Sequence, residues 1–245
     1  MSELDFSNKR VLVVGGSSGI GNAIARAFLE HGAKVHVTGT RPSAADYDAA
    51  TGSDLSDLDY TQLNVAELAA VEGWTPSFAD LDVLVLSQGI VEYRRAEFTI
   101  GAFRKVLEVN LNSLMACAVK FRPMLAAAKG SVITISSAGG IRATRGNPAY
   151  AASKAGVIHL TGTLAEAWAA DGIRVNGIGP GLIATKMTTV TTDDPKRLAE
   201  RLKGIPLGRL GEPSEIAGVA LFLASPLASF VIGQTIICDG GRTLS

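Results

Sequence analysis

The chain is poor in the residues that build metal centres, disulfide frameworks and nucleic-acid surfaces. Two cysteines, Cys117 and Cys238, and three histidines, His31, His36 and His159, are spread over 245 residues. None has a CxxC or HxxxH partner, which excludes a sequence-encoded metal motif and a disulfide scaffold. Two thiols so placed fit buried, unpaired cysteines in a reducing compartment, so the expected location is cytoplasmic. Neither sign of charge is in excess, because 23 basic and 23 acidic residues cancel and the pI is near 6.8. No general field therefore draws the chain to nucleic acid or to an anionic membrane. Apolar runs stop well short of the ~20 residues that span a bilayer. The opening Met1–Phe6 lacks the basic-then-apolar pattern of a signal peptide.

What is plentiful is small or aliphatic. Hydrophobic residues make up 47% of the chain, against 6% aromatic, and there are 27 glycines. Short β-branched runs recur at Val11–Val14, Val35–Thr38, Val83–Leu86, Val132–Ile135, Val175–Ile178 and Thr235–Cys238. Unbroken apolar runs fit strands buried on both faces of a parallel sheet. Ala- and Leu-rich helical patterns lie between them, at Ile20–Glu30, Ala102–Ala128, Ala149–Ala170 and Glu212–Ala224. The alternation predicts an α/β fold, a doubly wound parallel sheet of about seven strands with helices on both faces. Nothing in the chain reads as a linker, so one domain over residues 1–245 is expected. Pro123 should bend the second helix or end it early. Thr40–Gln62 is polar and weakly periodic, a long connection leading to a third strand around Tyr60–Val65.

The first strand runs into Gly15-Gly-Ser17-Ser18-Gly19-Ile20-Gly21 and then a helix. Gly15 permits a tight exit from the strand, Gly19 a close backbone approach to phosphate, and Gly21 close packing of helix on strand. The helix start offers N–H groups and a positive dipole end to a pyrophosphate. The spacing is GxxxGxG rather than the commoner GxGxxG. Farther on, Tyr150 and Lys154 stand four residues apart in a helical pattern, on one face. A phenol beside an ammonium is a proton-transfer device, since the cation favours phenolate and draws the tyrosine pKa down from about 10.

Gly15-x-x-x-Gly19-x-Gly21, Asn110, Ser137, Tyr150-x-x-x-Lys154 and Pro180-Gly181 fall in the order and spacing of one family. Over essentially its whole length the chain resembles the short-chain dehydrogenase/reductases of about 250 residues. The resemblance implies an NAD(P)-dependent oxidoreductase interconverting a secondary alcohol and a ketone. Tyr150 would be the general acid in reduction and the general base in oxidation. Lys154 would lower its pKa and bind the nicotinamide ribose. Ser137 would bond the substrate oxygen; its neighbour Ser136 is the rival, and only the spacing to Tyr150 separates them. Asn110 would help hold a water chain behind the lysine, or else be a surface or helix-kinking residue.

The expected cofactor contacts are Gly15, Ser17, Ser18, Gly19, Ile20, Gly21, Thr40, Arg41, Asn64, Val65, Gly89, Tyr150, Lys154, Pro180, Gly181, Ile183 and Thr185. Thr185 could equally cap the following helix. Gly39, at the end of the second strand, stands where a carboxylate would select NAD(H), and Arg41 follows closely. NADP(H) is therefore favoured, with NAD(H) the alternative. Val14 replaces the family's usual threonine before the first glycine. Leu86-Ser87-Gln88-Gly89 replaces the usual Asn-Asn-Ala-Gly. These changes predict a repacked junction in which Gln88 supplies part of the polar network.

Residues 185–207 would form a flap over the substrate. Gly139–Asn147, with Arg142 and Arg145, and Gln88–Arg95 would line the mouth, where the arginines face either an acidic substrate group or solvent. The expected substrate is a small secondary alcohol or ketone. The alternative is a 3-oxoacyl group on a carrier protein, for which Lys129 would help docking and Asp171 would oppose it. Another class of reading is a non-catalytic dinucleotide-sensing module. The family's habit implies a homotetramer, built through the Ala-rich helix faces.

Overall fold

The computed structural model describes residues 3–93, 96–144 and 146–244. Arg94, Arg95 and Arg145, expected at the substrate mouth, lie outside the described residues. The strands are β1 Arg10–Val14, β2 Lys34–Gly39, β3 Asp59–Gln62, β4 Val83–Leu86, β5 Ser131–Ile135, β6 Arg174–Pro180 and β7 Thr235–Cys238. They form one parallel sheet in the order β3-β2-β1-β4-β5-β6-β7. The helices are α1 Gly19–Glu30, α2 Leu68–Gly73, α3 Ile100–Leu107, α4 Ser113–Ala128, α5 Pro148–Trp168, α6 Thr189–Thr192, α7 Pro195–Leu202 and α8 Pro213–Ala224.

The pleat explains how so apolar a set of strands is used. Alternate side chains feed opposite faces. Val11, Val13, Val83 and Val85 pack with Phe28 of α1 and Ile216 of α8 in one core. Leu12, Val14, Leu84 and Leu86 meet Phe121 of α4 and Val157 of α5 in the other. The order turns back on itself between β1 and β4. In sheets of this kind ligands bind at the carboxyl ends of the strands beside that reversal. Among the described residues no helix is long and apolar enough to cross a membrane. Both cysteines are free, Cys117 buried and Cys238 only partly so.

Two local features, the end of β3 and a break in the second helical pattern, differ from the sequence expectation, and of the two outcomes expected for Pro123 an early end is not seen. β3 ends at Gln62, so Leu63 and Val65 follow the strand as buried loop residues instead of extending it. The helical pattern over 102–128 is broken by a π-helical turn, Glu108–Asn112, between α3 and α4. Pro123 lies inside α4, which continues to Ala128. The carbonyl deprived of its partner is that of Val119, an exposed position where solvent can replace the lost bond. The polar connection after β2 also has structure of its own. It makes two short 3₁₀ turns, Ala44–Asp46 and Ala49–Thr51, with the Ser43 hydroxyl and the Asp48 carboxylate accepting from the first free N–H groups.

Candidate active site

The glycine-rich turn joins β1 to α1 at the point where the strand order reverses. Gly15 adopts φ +75°, and a Cβ there would lie 2.8 Å from the Gln88 backbone. Its N–H donates to the Thr38 hydroxyl of β2 at 3.2 Å. That bond replaces the bracing expected from a threonine at position 14. Gln88 spans the other side, its amide donating to Ser113 Oγ at 3.1 Å. Its Oε1 is buried with no hydrogen-bond partner. Ser18, the α1 N-cap, makes no side-chain cap, and the first turn carries no acidic residue. The positive end of the helix therefore faces the cleft without a competing anion.

The cleft, of about 390 Å³, follows the carboxyl edge of the sheet. It gathers most of the residues singled out in the sequence: Gly15, Ser17 to Gly21, Thr40, Val65, Gly89, Ser137, Tyr150, Lys154, Pro180, Gly181, Ile183 and Thr185. Three others are elsewhere. Asn64 is exposed and bonds Glu67 at 2.7 Å. Arg41 lies outside the lining, its guanidinium stacked 4.8 Å from the Tyr47 ring centre and donating to the Asp46 carbonyl. Asn110 is buried behind the cleft.

Tyr150 and Lys154 both project from α5. Gly89 leaves room for the lysine, since a Cβ there would stand 3.4 Å from Nζ. The Lys154 ammonium donates to the Ile135 carbonyl at 2.8 Å and lies 5.8 Å from the Tyr150 ring centre. Burial pulls its pKa down to about 8. Burial also pushes the Tyr150 phenol above its ordinary value, opposed by a hydrogen bond from Ser137 and reinforced by the nearby Tyr93. The expected lowering of Tyr150 by Lys154 is thus not what this arrangement yields. The lysine, itself desolvated, is engaged by a backbone carbonyl.

The two serines at the end of β5 have separate fates. Ser136 donates to the Lys154 carbonyl at 2.7 Å and is buried against α5. Ser137 accepts from Gly139 N at 3.0 Å and contacts the Tyr150 hydroxyl. Asn110 sits in the π-helical turn, a geometry frequent at functional sites. Its Oδ1 accepts from Ile90 N at 2.8 Å, and its Nδ2 donates to the Ile90 carbonyl at 3.0 Å and to Ser153 Oγ at 3.1 Å. It is fully buried, which removes the surface reading.

Some cleft residues were not anticipated individually, among them Lys186, Met187 and Thr188. Lys186 is the informative one, because its ammonium donates to Ser53 Oγ at 3.2 Å, tying the segment after β6 to the β2–β3 connection. Only its place next to Thr185 could have pointed to it.

The glycine turns suit a dinucleotide on their own geometry. Gly21, Gly89 and Gly181 each keep space or backbone contact that a side chain would remove. Fold and cleft together define a dinucleotide-binding α/β enzyme. The family described as enoyl-(acyl carrier protein) reductase matches residues 14–243. A 3-oxoacyl-[acyl-carrier-protein] reductase of Chlamydia muridarum is 39% identical over 242 residues, 96% of this chain and 97% of that protein. A galactitol 2-dehydrogenase (L-tagatose-forming) of Cereibacter sphaeroides is 37% identical, covering 95% of this chain and 94% of its own. The solved structure of a putative NAD(P)-dependent gluconate 5-dehydrogenase from Beutenbergia cavernae, with bound NADP, superposes over 100% of both chains with a TM-score of 0.90 at 33% identity. The chain belongs to the short-chain dehydrogenase/reductase family, and it is an oxidoreductase that acts on CH–OH or ketone groups with NAD(P).

Proposed function

We propose that Tyr150 is the general acid/base of an NADP(H)-preferring interconversion of a secondary alcohol and a ketone. The observation that carries this is the meeting of Ser137, Tyr150 and Lys154 with the glycine-rich turn in one cleft. When bound, the nicotinamide supplies or accepts the hydride. In reduction the Tyr150 Oη–H donates its proton to the oxygen of the substrate carbonyl. The Ser137 hydroxyl, held by Gly139 N, donates to the same oxygen and steadies its developing charge. Lys154 holds a positive charge beneath the tyrosine and offers Nζ protons to ribose hydroxyls. Asn110 acts through others, fixing the Gly89–Ile90 backbone against Ser153 of α5.

The glycine-rich turn and the start of α1 would hold the pyrophosphate, with Lys186 adding a cation beside them. Pro180, Gly181, Ile183 and Thr185 would shape the nicotinamide end. The preference for NADP(H) is supported by Gly39, whose missing side chain leaves no carboxylate at the ribose, and by the nearby Arg41. The NADP complex among the structural neighbours favours it too. We read residues 1–245 as one domain, with 185–207 as its substrate flap. Exposed Phe98, Ile100 and Val119 on the α3–α4 side support a homotetramer.

A second substrate reading, a 3-oxoacyl group on a carrier protein, is favoured by the Chlamydia relative. For this reading, Arg122 offsets the adverse Asp171 by donating to it at 2.6 Å. The test is titration with NADPH and NADH by bound-cofactor fluorescence, on wild type and Tyr150→Phe. Turnover should fall by about 10²–10⁴ in the variant with NADPH affinity retained. Undiminished turnover would refute the role of Tyr150, and absence of dinucleotide binding would refute the whole reading.

A further inference from the structure

We propose that the Tyr47 hydroxyl reads the 2′ position of the adenine ribose, donating to the 2′-phosphate of NADP(H), with the Arg41 cation held against its ring. This rests on the NADP(H) reading and names the side chain through which that choice is exercised.

Ser17, Gly39 and Thr40 line the cleft at the ends of β1 and β2. A carboxylate on the last residue of β2 would accept from a ribose 2′-OH and repel a 2′-phosphate. At Gly39 that side chain is missing, but its space is taken. A Cβ there would overlap the Tyr47 hydroxyl oxygen and stand 2.7 Å from Ser17 Oγ. A phenol reaching in from the β2–β3 connection therefore supplies the polar group at the point where an acid would begin. Unlike a carboxylate, it carries no charge and has a proton to give.

The hydrogen bonds around Tyr47 leave that proton available. Its oxygen accepts from Arg41 N at 3.1 Å. Tyr60 Oη stands 3.4 Å away, longer than an ordinary O–H···O bond, and gives its own proton to the Arg41 carbonyl. The backbone beside Tyr47 also suits an anion. The Gly39 carbonyl accepts from Leu63 N at 2.7 Å, the Thr40 carbonyl from Gln62 Nε2 at 3.0 Å, and the Arg41 carbonyl from Tyr60. Three successive carbonyls thus turn toward β3, which spares a phosphate beside Gly39 their repulsion.

Arg41 has a part in this that matches its place outside the cleft lining. Its guanidinium lies 4.8 Å from the Tyr47 ring centre and donates to the Asp46 carbonyl. Asp46, the acid of that 3₁₀ turn, has its carboxylate engaged by Ser43 N at 2.9 Å. The positive charge so placed favours an anion at the Tyr47 hydroxyl. The ring is fixed on its other flank by edge-on packing against Tyr60, with centres 5.7 Å apart. A phenylalanine would fill the same volume. Packing alone does not call for a hydroxyl set against a glycine of the cleft wall.

The test is made on the full chain with two matched pairs of ligands. Adenosine 2′,5′-bisphosphate is compared with 5′-AMP by calorimetry, and NADPH with NADH by bound-cofactor fluorescence. The wild type should prefer the 2′-phosphorylated member of each pair. Tyr47→Phe, which keeps the ring for Arg41, should reduce that preference about tenfold, the size of one charge-assisted hydrogen bond. The other member of each pair should weaken by less than about threefold. The phosphorus NMR resonance of the bound 2′-phosphate should differ between wild type and Tyr47→Phe, while that of the 5′-phosphate holds. Tyr60→Phe removes a neighbouring hydroxyl that braces the same connection, and should leave the preference intact. An undiminished preference in Tyr47→Phe, equal losses for both members of a pair, or an equal effect of Tyr60→Phe would overturn the proposal. A wild type that favours NADH, or treats the two alike, would overturn the NADP(H) reading beneath it. Failure to bind either dinucleotide would instead sink the oxidoreductase reading as a whole.

Discussion

Replacing Gly21 with alanine should weaken both the fold and the dinucleotide site, and the packing around it sets the size of each effect. A Cβ at this position would stand 2.3 Å from the Gly15 carbonyl oxygen and 3.0 Å from its carbon. Both obstacles are backbone, so no side chain can rotate away. Helix α1 and the turn must part by about an ångström to restore ordinary contact. Overpacking of this kind costs ~1–3 kcal/mol. Pulling Gly15 N from Thr38 Oγ1 adds ~1 kcal/mol, and the better helix propensity of alanine returns ~1 kcal/mol. The net loss is ~2 kcal/mol, or a fall in Tm of roughly 4–8 °C for a chain of this length. The same displacement moves the N–H groups at the start of α1, which on the proposed reading should weaken NADPH binding by about tenfold or more. Gly218, exposed in α8 with nothing within 4 Å of its would-be Cβ, is the internal control. Alanine there should stabilise by up to ~1 kcal/mol and leave NADPH affinity alone. Thermal melts and fluorescence titrations of both variants decide the matter. A Gly21→Ala protein with wild-type Tm and a Kd within about twofold would refute the argument that this glycine is needed for backbone contact.

Other outcomes follow from the same geometry. Burial holds the His36 ring below its ordinary pKa, with Arg10 lowering it further and Asp59 opposing. The unfolded chain then binds the proton more tightly, so the stability this histidine contributes is present above about pH 6.5 and is lost as pH falls below it. His36→Phe, facing Trp74 and Phe78, should flatten the decline in Tm between neutral and mildly acidic pH; an unchanged slope would refute it. Arg41→Ala should cost NADPH about tenfold and NADH less than twofold. Equal losses would show that Arg41 serves only to hold Tyr47 and the β2–β3 connection. Asn110→Leu strands two partly buried backbone groups of Ile90 and should destabilise by ~2–4 kcal/mol in denaturant melts. A loss under ~1 kcal/mol would mean the Ile90 groups find other partners.

Much of this was legible in the residues because it depends on local pattern. Unbroken β-branched runs such as Val11–Val14 and Val83–Leu86, alternating with helical patterns, read as central parallel strands, and the GxxxGxG turn follows the first of them. What escaped depends on contacts between distant segments. The spacing to Tyr150 favoured Ser137, but nothing near the two serines says that Ser136 bonds α5, because that is settled by where α5 crosses β5. The π-helical turn at Asn110 is set by the amide's match to the Ile90 backbone, twenty residues earlier. Arg41 reads as a free cation until Tyr47 provides a ring for it.

The β2–β3 connection is fastened to the glycine-rich turn at several points. Gly19 N donates to the Gly52 carbonyl at 3.1 Å, and the Asn22 side chain bonds the Asp54 backbone at both ends. Ser53, buried between those anchors, takes a bond from Lys186 across 133 residues of sequence. These segments consequently form one cooperative unit rather than two independent loops. Local opening of either exposes the other, and a ligand that orders the turn is felt at once in both. Amide hydrogen exchange near Gly52 and near Lys186 should therefore slow together on dinucleotide binding, as though a single hinge had been closed.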